Sequence, residues 1–407
     1  MDHANHDTGS DVPRSIRTRA VHAGQRPEAV TGALTTPIFQ TASFAYGSFE
    51  RGAQIFRGEA EGYLYTRFGN PTVSALEHKL ADLEGAEAAV ALSSGMAAVS
   101  TVTLGLLSPG DELLFVGPLY GGTEALLRQF LPRFGITTVS AHDFDRLEDG
   151  VTPATRMIWV ESPTNPLLGI NDLGDVARVA RALGAWSVAD NTFATPYLTR
   201  PLDHGCDLVV HSTTKYIGGH GDAIGGAVIG AAAPMKTIRD TALKFLGSSL
   251  GPADASLFLR AAKTLPVRME AHCDGAEIVA DALRESPLIP QVNYPGLREH
   301  PDHALAACQM RRFGGIVSFE IDGGCDAAAA FLDALELFTQ AVSVGDVDSL
   351  ACHPATTLHS SIGPEARARN GITDGLVRLS VGIEDPHDLV ADLRRALRRV
   401  PEAAMAR

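Results

Sequence analysis

The sequence predicts an α/β fold, a mostly parallel sheet with helices on both faces, followed by a smaller C-terminal α+β domain. Three observations predict it. From residue 65 to about 260, short apolar runs alternate with amphipathic helical segments, the pattern of repeated strand–helix–strand units. The runs are apolar throughout rather than alternating with polar residues, as strands covered on both faces are. Beyond about 260 the texture changes to longer helices with isolated strand candidates.

At 407 residues the chain is long enough for two domains and a sizeable core. Residues 1–15 are polar and read as disordered. Residues 1–64 as a whole show little periodicity and are expected to form a tail and an irregular arm. The regular pattern begins with Val73, Leu76, Leu80 and Leu83, which share one helical face. Ser74 and Glu77 have capping-box spacing, and Gly85 stands where the helix should stop. The strand candidates that follow are Ala88–Leu92, Glu112–Val116, Arg156–Val160, Ala185–Ala189, Asp207–His211 and Ala227–Ile229, with a helix over Asp172–Leu183. These place an α/β domain over 65–260. The C-terminal α+β domain, 261–407, is expected to hold helices over 275–286, 326–337 and 387–399, and strands at Ile316–Ile321 and Val377–Val381.

Composition narrows the function classes. The formal charge is -14, whereas nucleic acids and anionic membranes call for a basic surface. Cys206, Cys273, Cys308, Cys325 and Cys352 are scattered and odd in number. No disulfide framework or metal site is expected, and a reducing cytoplasm fits. His300 and His303 read as a surface loop rather than metal ligands. Met1 to Asp11 lacks the apolar core of a signal peptide. Ala88 to Leu107 carries no charge and has the length of a membrane span. Its small residues and the Ser93-Ser94-Gly95 break predict a strand, a turn and a buried helix instead.

Ligands on parallel sheets bind beyond the carboxyl ends of the strands. The first run ends in Ser93-Ser94-Gly95-Met96-Ala97-Ala98. Small residues there expose backbone N–H groups at a helix N-terminus, which suits a phosphate; a plain tight turn is the alternative. A later run ends in Asp190-Asn191-Thr192. A buried carboxylate calls for a cationic partner, such as a protonated pyridine nitrogen; a helix cap is the alternative. The next run ends in His211-Ser212-Thr213-Thr214-Lys215-Tyr216. A partly desolvated lysine loses its proton more readily and becomes a nucleophile; a surface lysine is the alternative.

Taken together and in this order, these segments resemble the trans-sulfuration (Cys/Met metabolism) family of fold-type I pyridoxal 5'-phosphate (PLP) enzymes. The resemblance extends to Tyr65-Thr66-Arg67-Phe68-Gly69-Asn70-Pro71-Thr72, Leu119-Tyr120-Gly121-Gly122-Thr123, Glu161-Ser162-Pro163-Thr164-Asn165-Pro166 and Leu376-Val377-Arg378-Leu379-Ser380-Val381-Gly382. It covers residues 17 to about 400. The resemblance implies that Lys215 holds PLP as a Schiff base, that Asp190 faces the pyridine nitrogen, and that Gly95, Met96, Ser212 and Thr214 bind the phosphate. It also implies that Tyr65 and Arg67 reach the phosphate of a neighbouring subunit, within a homotetramer. Tyr120 resembles the aromatic residue that stacks on the cofactor and helps expel the γ-leaving group. Arg378 resembles the clamp for the substrate carboxylate, assisted by Asn165 and Ser343.

The branches of this family differ around the γ-position. Val342 and Asp346 resemble the methionine γ-lyase branch, whereas cystathionine γ-lyases and γ-synthases carry glutamate at the position of Val342. Gly122 and Phe245 argue otherwise, because methionine γ-lyases have cysteine and aspartate at those positions. The expected reaction is γ-elimination on methionine or a related sulfur amino acid. The alternatives are γ-replacement on O-acetyl- or O-succinyl-homoserine and cystathionine γ-lysis. An apolar wall at Val342 and Phe245 favours an uncharged substrate tail.

Overall fold

The computed structural model of the protein describes residues 14–141, 146–360 and 363–400. Most of the stretch read as disordered, 1–13, lies outside the described residues. Seven strands form the first sheet: β1 (Ala88–Leu92), β2 (Glu112–Val116), β3 (Thr137–Ser140), β4 (Thr155–Glu161), β5 (Trp186–Asp190), β6 (Leu208–His211) and β7 (Gly226–Gly230). Their order is β1-β7-β6-β5-β4-β2-β3. Neighbours from β6 to β3 are parallel, and β7 runs antiparallel to both β6 and β1. The carboxyl ends of β1, β2, β4, β5 and β6 therefore share one edge of the sheet.

The uniformly apolar runs have the physical cause expected for a double-covered sheet. Val90, Leu92, Phe115, Trp159, Val188, Val210 and Val228 pack with helix Gly95–Leu106 on one face. Their chain neighbours Ala91, Leu114, Ile158, Val160, Ala189, Val209 and Ile229 pack on the other. Successive side chains of a strand alternate faces, and here both faces are buried. Each Val, Leu, Ile or Phe among them contributes roughly 1.5–3 kcal/mol of burial.

Helix Pro71–Glu84 starts at an Asn70 cap whose side chain accepts from Thr72 N, with proline at the first helical position. The expected Ser74–Glu77 capping box is not formed. Pro71 moves the helix start upstream, and Glu77 instead accepts from Ala91 N at 2.9 Å and pairs with Arg239 at 2.8 Å. Gly85 closes the helix as expected, in the left-handed conformation (φ 77°). The uncharged stretch from Ala88 resolves into β1, a turn and helix Gly95–Leu106. Among the described residues no helix is long and apolar enough to cross a membrane.

The second sheet comprises β8 (Gln291–Asn293), β9 (Ile316–Glu320), β10 (Thr339–Gln340), β11 (Leu350–Cys352) and β12 (Leu376–Ser380), in the order β10-β11-β12-β9-β8. Its own core gathers Phe319, Phe331, Val377, Leu379 and Leu393. Helix Leu265–Arg284 begins well before the expected 275. Buried Arg268 and His272 interrupt its apolar stripe and hide its first turns from a periodicity reading. The arm contains helices Ile16–His22 and Phe49–Arg57 and otherwise joins neither sheet. His300 is buried rather than exposed, and its Nδ1 accepts from Asp302 N.

Candidate active site

The shared strand edge opens into a cavity of about 250 Å³. It is lined by Gly95 and Met96 after β1, Tyr120 after β2, Glu161 and Asn165 at the end of β4, Asp190 at the end of β5, Ser212, Thr214 and Lys215 after β6, and Arg378 on β12. Segments more than two hundred residues apart in sequence thus meet at one place, as the 2.9 Å hydrogen bond from Arg378 Nη1 to Asn165 Oδ1 records.

At β1, Ser94 caps helix Gly95–Leu106 by accepting from Ala97 N at 3.0 Å. That leaves the first N–H groups of a 12-residue helix directed at the cavity edge. Gly95 is needed there: a Cβ would stand 2.7 Å from Ser212 Cβ. The Thr214 hydroxyl is engaged with Gly225, donating to its O at 3.1 Å and accepting from its N at 3.0 Å.

Lys215 sits on a turn closed by Lys215 N to Ser212 O and Gly219 N to Lys215 O. The buried Arg268 guanidinium braces the turn by donating to Tyr216 O at 2.7 Å. Lys215 Nζ donates to Ser343 Oγ at 2.8 Å. Burial pulls the amine below its ordinary proton affinity, helped by the positive charge of Arg378 and opposed by Asp346. Arg378 also donates to Ser343 O at 3.1 Å, so Ser343 joins the amine to the guanidinium although it is not a cavity-lining residue.

Asp190 Oδ1 accepts from Thr192 N at 3.0 Å and Thr192 Oγ1 at 2.6 Å. Thr192 Oγ1 in turn accepts from Ser212 N at 2.9 Å, tying the ends of β5 and β6 together. Oδ2 of Asp190 has no donor among the described residues. Burial raises the Asp190 pKa against those hydrogen bonds, so a cation brought to Oδ2 would be stabilised.

Tyr120 is half-exposed, with its backbone N–H held by Glu161. Gly122 lies under the tyrosine rather than on the cavity wall: a Cβ there would meet Tyr120 Cε1 at 2.6 Å and Met96 Sδ at 3.2 Å. Val342 lines the cavity with Val344, Ile224 and Leu358. Phe245 does not; it is 78% exposed. Tyr65 and Arg67 also lie outside the cavity. Arg67 Nη1 donates to Lys244 O at 2.5 Å, and its guanidinium covers the Phe68 ring. The sequence reading missed Ile224 and Leu358, and quoted Thr192 and Glu161 without giving them a task. Glu161 carried a signal, since a carboxylate closing an apolar run was the very argument that picked out Asp190.

The family model for Cys/Met metabolism PLP-dependent enzymes matches residues 17–398. The chain is 48% identical over 393 residues to the L-methionine gamma-lyase of Pseudomonas putida, covering 96% of this chain and 99% of that one. It is 42% identical over 384 residues to the O-succinylhomoserine sulfhydrylase of Pseudomonas aeruginosa, covering 93% and 94%. A solved Campylobacter jejuni chain assigned as an O-acetylhomoserine (thiol)-lyase is similar at 33% identity and a TM-score of 0.92, covering 95% of this chain and 100% of that one. That chain contains an N'-pyridoxyl-lysine-5'-monophosphate.

Proposed function

The chain belongs to the family of Cys/Met metabolism PLP-dependent enzymes, and we propose that within it the protein catalyses γ-elimination on L-methionine or a closely related sulfur amino acid, consuming water and releasing 2-oxobutanoate, ammonia and a thiol. The division into an arm over 1–64, a cofactor-binding α/β domain over 65–260 and an α+β domain over 261–407 is part of this reading.

The residues present fit PLP. The backbone at Gly95 passes so close to Ser212 that a Cβ would fill the cradle, which suits a phosphate at the helix N-terminus. Asp190 keeps one oxygen free for a ring nitrogen, and Lys215 is a half-buried amine at the same edge. Gly95 and Met96 N–H groups and the Ser212 hydroxyl would hold the phosphate. Thr214, its proton engaged with Gly225, would orient that loop more than donate. When bound, PLP supplies an electron sink that makes the hydrogens at Cα and Cβ of the substrate acidic.

The chain's own groups divide the remaining work. Lys215 is the attachment point and, once free, the base that removes the Cα proton; its lowered proton affinity favours the free amine. Arg378 receives the substrate carboxylate in a two-pronged contact, its plane fixed by Asn165 and the Ser343 carbonyl. Tyr120 gives a proton to the departing sulfur. Gly122 lets the Tyr120 ring sit down against Met96.

One observation carries the choice of a thioether substrate. The charged residues lining the cavity are Glu161, Asp190, Lys215 and Arg378, and each is already hydrogen-bonded within the protein. Val342, Val344, Ile224 and Leu358 supply only apolar surface. Such a wall accepts a methylthio group and leaves the distal charges of cystathionine unpaired. Incubating the cofactor-loaded protein with methionine alone tests this; 2-oxobutanoate should accumulate. If none forms, while O-acetyl- or O-succinyl-homoserine is consumed with a thiol, γ-replacement is the reaction. Gly122 is the residue that favours that second reading. The position of Tyr65 and Arg67 outside their own cavity supports a homo-oligomer with shared sites, a homotetramer in this reading. All five cysteines are free, which supports a reducing, cytoplasmic setting.

A further inference from the structure

Glu161 is the last residue of β4 and stands in register with Asp190 at the end of β5. Paired residues of parallel strands project to the same face, so two carboxyl groups enter the cavity side by side. Asp190 has a task in the proposed function; Glu161 has none. Yet Glu161 is 5% exposed, and such a burial is costly unless its oxygens are used. Oε2 accepts from Tyr120 N at 2.8 Å and Oε1 accepts from Asn165 N at 3.1 Å.

Those two bonds close a continuous chain of contacts across the site. Tyr120 is joined through Glu161 to Asn165, and Asn165 to Arg378. Arg378 is joined to Ser343, and Ser343 to Lys215. We propose that Glu161 is a positioning residue: one carboxyl group fixes the Tyr120 backbone relative to Asn165, and thereby sets the aromatic acid at a fixed place over the carboxylate clamp. The inference rests on the roles given above to Tyr120 and Arg378.

The two ends of the link are not equally dependent on it. The turn around Asn165 has its own closures, Thr164 N to Gly169 O and Leu168 N to Thr164 O, and Asn171 Nδ2 donates to Glu161 O. The Tyr120 N–H has Glu161 as its acceptor. Loss of the carboxyl group therefore falls on Tyr120 first.

The charge state follows from the neighbours. Asp190 and Arg378 face Glu161, and His211 acts on Asp190 from β6. Burial, followed by the charge of Asp190, pushes Glu161 well above the carboxylate range. Burial raises Asp190 as well, opposed by the two donors from Thr192. Glu161 is the more strongly raised of the two and is the first of the pair to keep a proton.

Glu161→Gln is the discriminating variant. It keeps one oxygen acceptor and turns an amide N–H₂ toward the other donor. In D₂O, cofactor-loaded wild type and variant are compared for loss of the α-proton signal of methionine and for release of 2-oxobutanoate. Exchange needs Lys215 and Arg378; release also needs Tyr120. Release should fall on the order of 10²-fold, with exchange kept within about threefold. A release-to-exchange ratio equal to or above that of the wild type overturns the assignment. If the wild type exchanges the proton but releases no oxoacid, the elimination reading fails instead.

A second readout uses the full chain freed of cofactor. A carboxyl group with a raised folded pKa stabilises below its unfolded value, and that stability is lost as pH rises. The wild-type melting temperature should therefore fall more between pH 5 and 8 than that of Glu161→Gln. A gap between the two proteins that does not change with pH overturns the protonated state.

Discussion

Lys215 would be an unremarkable lysine on any other turn. Its chemistry comes from burial, from Arg378 and from a single hydroxyl acceptor, Ser343. Lys215→Ala should abolish the absorbance of bound cofactor and all turnover, while the melting temperature of the cofactor-free chain stays close to the wild type; retention of both absorbance and turnover would remove Lys215 from its role. Gly122 makes a subtler case. A methyl group there would overlap Tyr120 Cε1, and the ring is half-exposed, so it can swing away. Gly122→Ala should leave cofactor loading intact and lower kcat for elimination by about tenfold, since small displacements of a catalytic group carry large rate costs. Unchanged kcat would show that the ring position is not set from below.

At the scale of elements, helix Ile16–His22 is held to helix Pro71–Glu84 by a buried lysine. Lys79 Nζ donates to Ala20 O at 2.6 Å, a carbonyl in the last turn of the first helix. Burial, with the charge of Lys263 adding to it, lowers the amine to about 8. An unfolded lysine holds its proton up to about 10.4. Between those values the unfolded chain binds more protons, so this group makes the fold more stable as pH rises, and below about 8 its buried charge is a cost. The melting temperature of wild type relative to Lys79→Met should therefore climb from pH 8 to 10; a flat difference would show that the lysine titrates normally.

The same scale shows what the sequence could and could not reveal. β1 and β2 were legible because both faces are buried and no polar residue interrupts them. β3 was missed because an edge strand of Thr137-Thr138-Val139-Ser140 packs on one side only and reads as polar. The three-residue β8 and β11 are shorter than any periodicity. Gly95, Asp190 and Lys215 were legible because each lies at or just past the carboxyl end of a buried strand. Arg378 lies on β12 of the second sheet and Asn165 in the turn after β4 of the first, and their meeting is a tertiary fact that only resemblance pointed to. Phe245 went the other way: placed in the pocket by resemblance, it lies exposed outside the cavity, and its neighbour Lys244 points its ammonium at the rings of Phe56 and Phe68.

At the scale of the molecule, the arm is the part that a single chain leaves unexplained. Phe49 is 88% exposed and Phe56 69%, which is unfavourable for apolar rings left in water. Arg67 donates to Lys244 O, and the Lys244 ammonium lies 5.9 Å from the centre of the Phe56 ring; Tyr65 and Arg67 both lie outside the cavity of their own chain. In the proposed function these two residues complete the phosphate site of a neighbour, so each active site draws on two chains. That arrangement has a quantitative consequence. Lys215→Ala and Arg67→Ala homo-oligomers should each be severely impaired, because every site lacks either its amine or its phosphate contact. Mixed dimers contain one site with both defects and one with neither. Random reassembly of equal amounts should therefore restore about a quarter of the sites, following from two-fold symmetry alone. Recovery of oxoacid release after co-refolding measures it. A mixture no more active than the sum of its parents would mean that Arg67 serves the cavity of its own chain, and that the exposed arm binds something other than a second copy.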